Sequence, residues 1–254
     1  MMLRALLIAG VAILMFGTSL TVHAEPPVSF EDGKDQAETL WWDIGPKSFY
    51  CGCDYREATT EEKELRPGNL WVGGADCPYS PRKPLTRSGK RNARIDRIEW
   101  EHVVPAEWIA TGFGCQEDTR AACRKIDGFK EAEGDLFNLV PAIGEINGDR
   151  SSLLYGQDDE EKRAYGQCDF EIISVRDATG KELKLAEPNE DIRGDLARIW
   201  LYMESRYEID IPIEARSTLV HWNNDDQPDT AECDRTTMIA AEMGWSNPFV
   251  KCTQ

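Results

Sequence analysis

Arg97-Ile98-Glu99-Trp100-Glu101-His102-Val103-Val104-Pro105-Ala106 and, further along, Asp135-Leu136-Phe137-Asn138-Leu139-Val140-Pro141-Ala142-Ile143-Gly144-Glu145-Ile146-Asn147-Gly148-Asp149-Arg150-Ser151 are the two stretches whose reading decides the fold. The first is rich in β-formers and apolar at Ile98, Trp100, Val103 and Val104, so a strand is expected over 95–104, stopped by Pro105. In the second, Leu136 to Val140 reads as a short strand. Pro141 then opens a helix running to about Asp149, because a proline at the first helical position loses no hydrogen bond. Neighbouring strand residues point to opposite faces. Glu101 and His102 therefore converge on one site only if the strand distorts at its end, just before Pro105.

These residue types suggest a chemistry. A histidine titrates near neutrality and suits a general base that takes a proton from water. A carboxylate beside it suits a hard cation such as Mg2+, which prefers oxygen ligands and keeps several waters. Asn147, near the end of the expected helix, offers a second oxygen. Strand, strand, helix, with the base on the first strand and a ligand on the helix, describes a ββα-metal site. A Glu-His pair by itself is weak evidence, since a solitary histidine more often packs or lies on the surface. Past residue 24 there are only two histidines, His102 and His221. That leaves no multi-histidine zinc site, and neither an HExxH pattern nor an aspartate-rich calcium loop is present. His221 reads as a surface residue of a helix.

Outward from these stretches, the charge at first argues against a nucleic-acid partner. The 254 residues carry 29 Lys and Arg against 46 Asp and Glu, a formal −17. Their distribution alters that inference. Arg82, Lys83, Arg87, Lys90, Arg91, Arg94 and Arg97 face only Asp96 in one segment that runs directly into the first strand. The bland reading is a solvated surface. Its position beside the candidate site favours sequence-independent phosphate contacts. Hydrophobic residues at 41% exclude global disorder, and the length allows one sizeable domain.

Met1 to Ala24 reads as a secretory signal peptide, with Arg4, the apolar run Leu6 to Phe16, and Val22-His23-Ala24 at the cleavage position. A membrane anchor is the alternative, but the run is shorter than the roughly 20 residues a span needs. Residues 25–254 are then one exported domain with no membrane contact after cleavage. The eight cysteines, Cys51, Cys53, Cys77, Cys115, Cys123, Cys168, Cys233 and Cys252, all lie in it, and an even count in an exported chain implies disulfides. Cys115 and Cys123 bracket a short polar loop and are expected to pair; the other pairings stay open. A structural zinc site is the rival, although Cys51-Gly52-Cys53 has one intervening residue where zinc sites usually have two to four. Towards the C-terminus, Asn189 and Asp229 can each cap a helix, the first with an apolar stripe of Leu196, Ile199, Trp200 and Met203 that reads as core. The whole is expected to be one mixed α+β domain.

Cys51-Gly52-Cys53-Asp54, the two long stretches quoted first, Tyr165-Gly166-Gln167-Cys168 and Trp222-Asn223-Asn224 closely resemble the endonuclease I family over residues 49–252. The resemblance implies a periplasmic or secreted nuclease with a ββα-metal (His-Me finger) core and disulfides. It implies that His102 activates the attacking water, that Glu101 and Asn147 bind a divalent cation, and that Arg120, three residues before Cys123, contacts the scissile phosphate, with Arg124 its rival. It further implies cleavage of DNA, and of RNA as well, to 5′-phosphate and 3′-hydroxyl ends without sequence preference. Mg2+ is the expected ion, with Mn2+ or Ca2+ also admitted by oxygen ligands, and a monomer is expected. Phe137 departs from the pattern, since family members often carry histidine there. The alternative from another class is a non-enzymatic, disulfide-stapled extracellular binding protein on the same fold.

Overall fold

Ile98–His102 and Leu139–Ile143 pair antiparallel, with Ile98 opposite Ile143 and His102 opposite Leu139, and the helix Gly144–Arg150 follows the second strand at once. The computed structural model describes residues 25–65, 68–115, 120–158, 160, 162–177 and 179–252. The expected signal peptide, 1–24, lies outside the described residues. In chain order the elements are α1 (Phe30–Ile44), β1 (Tyr55–Glu57), α2 (Thr60–Leu65), β2 (Leu70–Val72), β3 (Ile98–His102), α3 (Ala106–Gly112), α4 (Arg120–Cys123), α5 (Asp127–Gly134), β4 (Leu139–Ile143), α6 (Gly144–Arg150), β5 (Phe170–Arg176), β6 (Glu182–Pro188), α7 (Arg193–Tyr207), α8 (Ile213–Asp225) and α9 (Thr230–Met243). The strands form three antiparallel pairs, β1–β2, β3–β4 and β5–β6. Helices and small sheets share one apolar core, so the α+β reading holds. No helix among the described residues is long and apolar enough to cross a membrane.

Pro141 lies inside β4 and does not open the helix, which corrects the expectation for this stretch. A strand paired on one side leaves alternate N–H groups outside the ladder, so proline costs little there. The Pro141 carbonyl accepts a hydrogen bond from Phe49 N at 2.7 Å. Helix α6 begins at Gly144, whose N–H donates to Arg97 O at 2.9 Å and docks the helix start on the approach to β3. The expected strand over 95–104 is also shorter, because residues 93–95 form a 3-10 turn capped by Asn92.

Helix α1 was not foreseen. Its sequence is acidic and its buried positions are few: Gly33, Ala37, Leu40 and Trp41. Ser29 caps it by accepting from Asp32 N, and Glu31 and Asp32 suit the positive end of the dipole. It packs on α5 through glycines. A Cβ on Gly33 would lie 2.4 Å from the Gly134 carbonyl oxygen, and one on Gly134 would lie 2.5 Å from the Ser29 carbonyl oxygen. With α1 held this close, Phe30 at its start lies over the His102 ring at the end of β3. Helix α4 carries Cys123, one of the two cysteines expected to bracket a loop, and α5 follows it. In the C-terminal third, Asn189 caps a 3-10 turn that runs into α7, and Asp229 caps α9, which Gly244 ends at φ 75°.

Three disulfides join Cys51 to Cys168, Cys53 to Cys77 and Cys233 to Cys252. The first closes a loop of 117 residues, a constraint on the unfolded chain worth about 4–5 kcal/mol in the entropic account. It holds the loop around Cys51, which packs on β4, to the approach to β5. The expected bond between Cys115 and Cys123 is not formed. Cys115 is a thiol, and Cys123 Sγ is turned toward the Cys115 carbonyl oxygen at 3.6 Å instead of toward its sulfur.

Candidate active site

The end of β3 bends where Arg150, the last residue of α6, reaches it. Arg150 is 1% exposed. Its Nη1 donates to the His102 carbonyl at 2.8 Å, and its Nη2 donates to the Val103 carbonyl. Its guanidinium stacks on Tyr155 at 4.7 Å, and the Tyr155 hydroxyl is 2.6 Å from that of Tyr50. One buried cation thus captures two successive carbonyls, and the chain leaves the ladder there. Glu101 and His102 consequently line one cleft, of about 260 Å³, together with Asn147, Arg120, Phe30 and Trp100.

His102 is 7% exposed. Its Nε2 lies 2.7 Å from the Glu133 carbonyl oxygen. A carbonyl only accepts, so Nε2 carries the proton and Nδ1 keeps its lone pair. Phe30 packs on the imidazole with ring centroids 4.7 Å apart. Burial, then the cations Arg120, Arg150 and Arg124, hold the imidazolium down to a pKa of about 3. At neutral pH the ring is neutral, the state a base requires.

Glu101 is buried, and burial pushes its pKa up to about 7 against the pull of Arg150. Its Oε1 is 3.0 Å from Arg150 Nη1 as an ion pair, yet it accepts no well-directed hydrogen bond. Asn147 donates Nδ2 to Glu99 Oε2 at 3.0 Å, which leaves its amide oxygen as the acceptor end. A buried carboxylate oxygen that accepts no well-directed hydrogen bond and an amide oxygen on one cleft are a fitting donor set for a hard divalent cation. Among the described residues no group of three or more His, Cys, Asp or Glu is placed to bind a metal. Any cation here would therefore rely on water for most of its shell.

Glu133 serves the site twice. Its carbonyl fixes His102, and its buried carboxylate binds Arg120 and Arg124, the latter through Nε at 2.9 Å. Arg120 lies over Phe30 at 4.8 Å and lines the cleft; Arg124 is not among the lining residues. The geometry therefore favours Arg120 over Arg124 as an anion-binding group.

The basic segment is less free than its sequence suggests. Arg82 and Lys83 pair with Asp149, Arg91 with Asp96, and Arg94 and Arg97 with Glu99. Only Arg87 and Lys90 of the seven have no ion pair among the described residues. They project from an exposed hairpin in which Thr86 N bonds to Lys90 O and Gly89 adopts φ 76°. The carboxylates that neutralise the others lie on α6 and β3 or next to it, so the segment doubles as a brace for the cleft. Glu145, one turn before Asp149, accepts from Tyr79 Oη and from the N–H groups of Arg82 and Lys83.

Phe137 is buried and packs on Tyr202 with centroids 4.9 Å apart, away from the cleft. His221 is exposed and pairs with Asp225 at 3.1 Å. Sequence reading missed Phe30, Glu99 and Glu133 as members of the site. Glu133 acts largely through its backbone, which leaves no mark on residue type. Glu99 could have been suspected from its place two residues before Glu101, where strand periodicity puts both on one face.

Comparison with known proteins finds relatives along most of the chain. The sequence model of the family described as Endonuclease I matches residues 34–254. An extracellular deoxyribonuclease of Aeromonas hydrophila is 33% identical over 251 residues, which cover 98% of each chain. A periplasmic deoxyribonuclease of the same organism is 32% identical over 249 residues and 96% of each chain. Endonuclease-1 of Buchnera aphidicola subsp. Acyrthosiphon pisum is 36% identical over 206 residues, covering 81% of this chain and 74% of that protein.

Proposed function

The chain belongs to the endonuclease I family, and from that premise we propose that it is a metal-dependent endonuclease whose ββα-metal core is β3, β4 and α6. It acts in the periplasm or outside the cell, as its relatives do. The substrate is DNA, with RNA cut by the same chemistry, and the products carry 5′-phosphate and 3′-hydroxyl ends. The observation that carries the reading is the His102 ring, whose proton is spent on the Glu133 carbonyl so that a lone pair remains next to Glu101, whose Oε1 is ion-paired with Arg150 but accepts no well-directed hydrogen bond.

His102 Nδ1 accepts a proton from the attacking water. Arg120 binds a non-bridging oxygen of the scissile phosphate, and Phe30 holds both the imidazole and the guanidinium in place. A bound phosphate offsets the positive charge that depresses His102, so the base strengthens when substrate is present. Glu101 and Asn147 hold the divalent cation, with Mg2+ the preferred ion. When bound, the cation neutralises charge that develops on the phosphate and on the leaving oxygen. Glu99 orients Asn147, and Arg150 orients the carboxylate of Glu101.

A plasmid-relaxation assay tests the reading. Supercoiled DNA is expected to be nicked and linearised with Mg2+, to survive in EDTA, and to be cut again when Mg2+ is returned in excess. Cleavage that persists in EDTA removes the metal from the mechanism. Absence of cleavage under both oxidising and reducing conditions favours the binding-protein alternative.

The ion pairs in the basic segment give a second test. Arg87 and Lys90 are the cations available to distant phosphates. Arg87→Ala with Lys90→Ala is expected to lower the slope of log K against log salt by about 2 on duplex DNA, with little change in the rate at saturating substrate. Affinity measured in EDTA across a salt series checks this. An unchanged slope places the duplex elsewhere.

A further inference from the structure

The cleft at His102 does not end there. It continues into a groove of about 490 Å³, and the two share Phe30, Trp100 and Asn147 as their common walls. The groove is chemically lopsided. Arg94 and Arg97 stand on the β3 side, where Glu99 ties them down. Across from them the α1 wall presents Lys34, which pairs with Glu31 at 2.6 Å, and Asp35 and Glu38, neither of which has an ion pair among the described residues, so that wall is acidic on balance. At the throat, Trp100 and Phe30 are each only partly buried. Trp100 is two residues before His102 on β3, so strand periodicity places it on the same face as the base.

Each feature selects against a duplex in this groove. A duplex brings phosphates along both walls, and the acidic α1 wall repels one of the two backbones. Stacked, paired bases also hide the faces that an indole could cover. A single backbone running past Arg94 and Arg97 meets two cations on its own side and stays clear of Asp35 and Glu38 on the opposite wall, where Lys34 is tied to Glu31. Its bases then point at Trp100, and their amino groups reach carboxylates that can only accept. Aromatic platforms of this kind bind unpaired bases with little sequence preference, because every base has a π-face.

We infer that the groove is a subsite for one unpaired nucleotide next to the scissile phosphate, with its base stacked on Trp100 and its amino edge toward Asp35 and Glu38. The inference rests on the nuclease reading for the position of the phosphate. It makes this chain prefer single-stranded or frayed strands over intact duplex.

The test uses short single-stranded oligonucleotides with one unblocked phosphodiester, flanked either by bases or by abasic residues. Binding is measured in EDTA and cleavage in Mg2+. The native chain is expected to bind the base-bearing strand about tenfold more tightly than the abasic one. Trp100→Ala is expected to remove most of that difference, and Trp100→Phe, which keeps an aromatic face and the fold, to restore most of it. Equal affinity of the native chain for the two strands overturns the subsite without recourse to any variant. Equal losses on both strands in Trp100→Ala also overturn it, because they mark a packing role. Base-dependent binding without metal-dependent cleavage keeps the subsite and overturns the nuclease reading. Cleavage without base-dependent binding does the reverse.

Discussion

His102→Ala is expected to lose on the order of 10²–10⁴-fold in single-turnover cleavage at saturating substrate, the range that general-base catalysis supplies. The imidazole makes one hydrogen bond, to the Glu133 carbonyl, and otherwise packs on Phe30. Its removal orphans one buried carbonyl, a cost of about 1–3 kcal/mol, which leaves a folded protein. Glu101 and Asn147 remain, so metal affinity is retained. Circular dichroism and a metal titration check fold and site, and the rate checks the base. A variant that is folded, binds metal and still cuts within tenfold of the native rate would falsify the assignment of His102.

How much of this was legible in the sequence depends on where each signal resides. Strand β3 was legible because β-branched and aromatic residues cluster before a proline. Of the strand expected over 136–140 only Leu139 and Val140 lie in β4, because Leu136–Asn138 form a 3-10 turn capped by Asp135, and the helix was started at Pro141 because a proline rule for helices competed with a proline rule for edge strands. Asn147 still fell on α6, since both versions of the helix include it. Helix α1 was missed although Gly33, Ala37, Leu40 and Trp41 fall at helical spacing, because a glycine and an alanine supply half of that buried stripe and acidic residues fill the positions between. With α1 unseen, Phe30 and the acidic wall of the groove were unseen as well. The basic segment shows a different limit. Residue types gave seven cations against Asp96, but Asp149 and Glu99 reach them from neighbouring elements. The net charge therefore mattered less than which carboxylates the fold sets against which cations. Glu133 shows the deepest limit, since the atom that fixes His102 is a backbone oxygen that any residue could supply.

The second large effect is on stability. Arg150→Ala is expected to cost about 3–5 kcal/mol, the usual penalty for removing one partner of a buried ion pair. The guanidinium is the partner of a Glu101 carboxylate that is itself buried, and it binds the carbonyls of His102 and Val103. Without it, three acceptors at the end of β3 lose their charged neighbour, and Tyr155 loses the cation stacked on its ring. Arg150→Lys keeps the charge but not the planar fork that reaches successive carbonyls, so it should recover only part of the loss. A double-mutant cycle with Glu101→Gln isolates the electrostatic share. If the loss arises from an uncompensated carboxylate, Glu101→Gln costs less in the Arg150→Ala background than in the native chain, and the coupling is about 1–3 kcal/mol. Urea denaturation in EDTA measures all four corners without interference from a bound cation. An additive cycle means that the loss comes from the two carbonyls and not from Glu101, whereas a loss below about 1 kcal/mol for Arg150→Ala means that the backbone holds the bend at His102 without Arg150. In that case the convergence of Glu101 and His102 is set by the β3–β4 ladder and Pro105, and α6 contributes only Asn147.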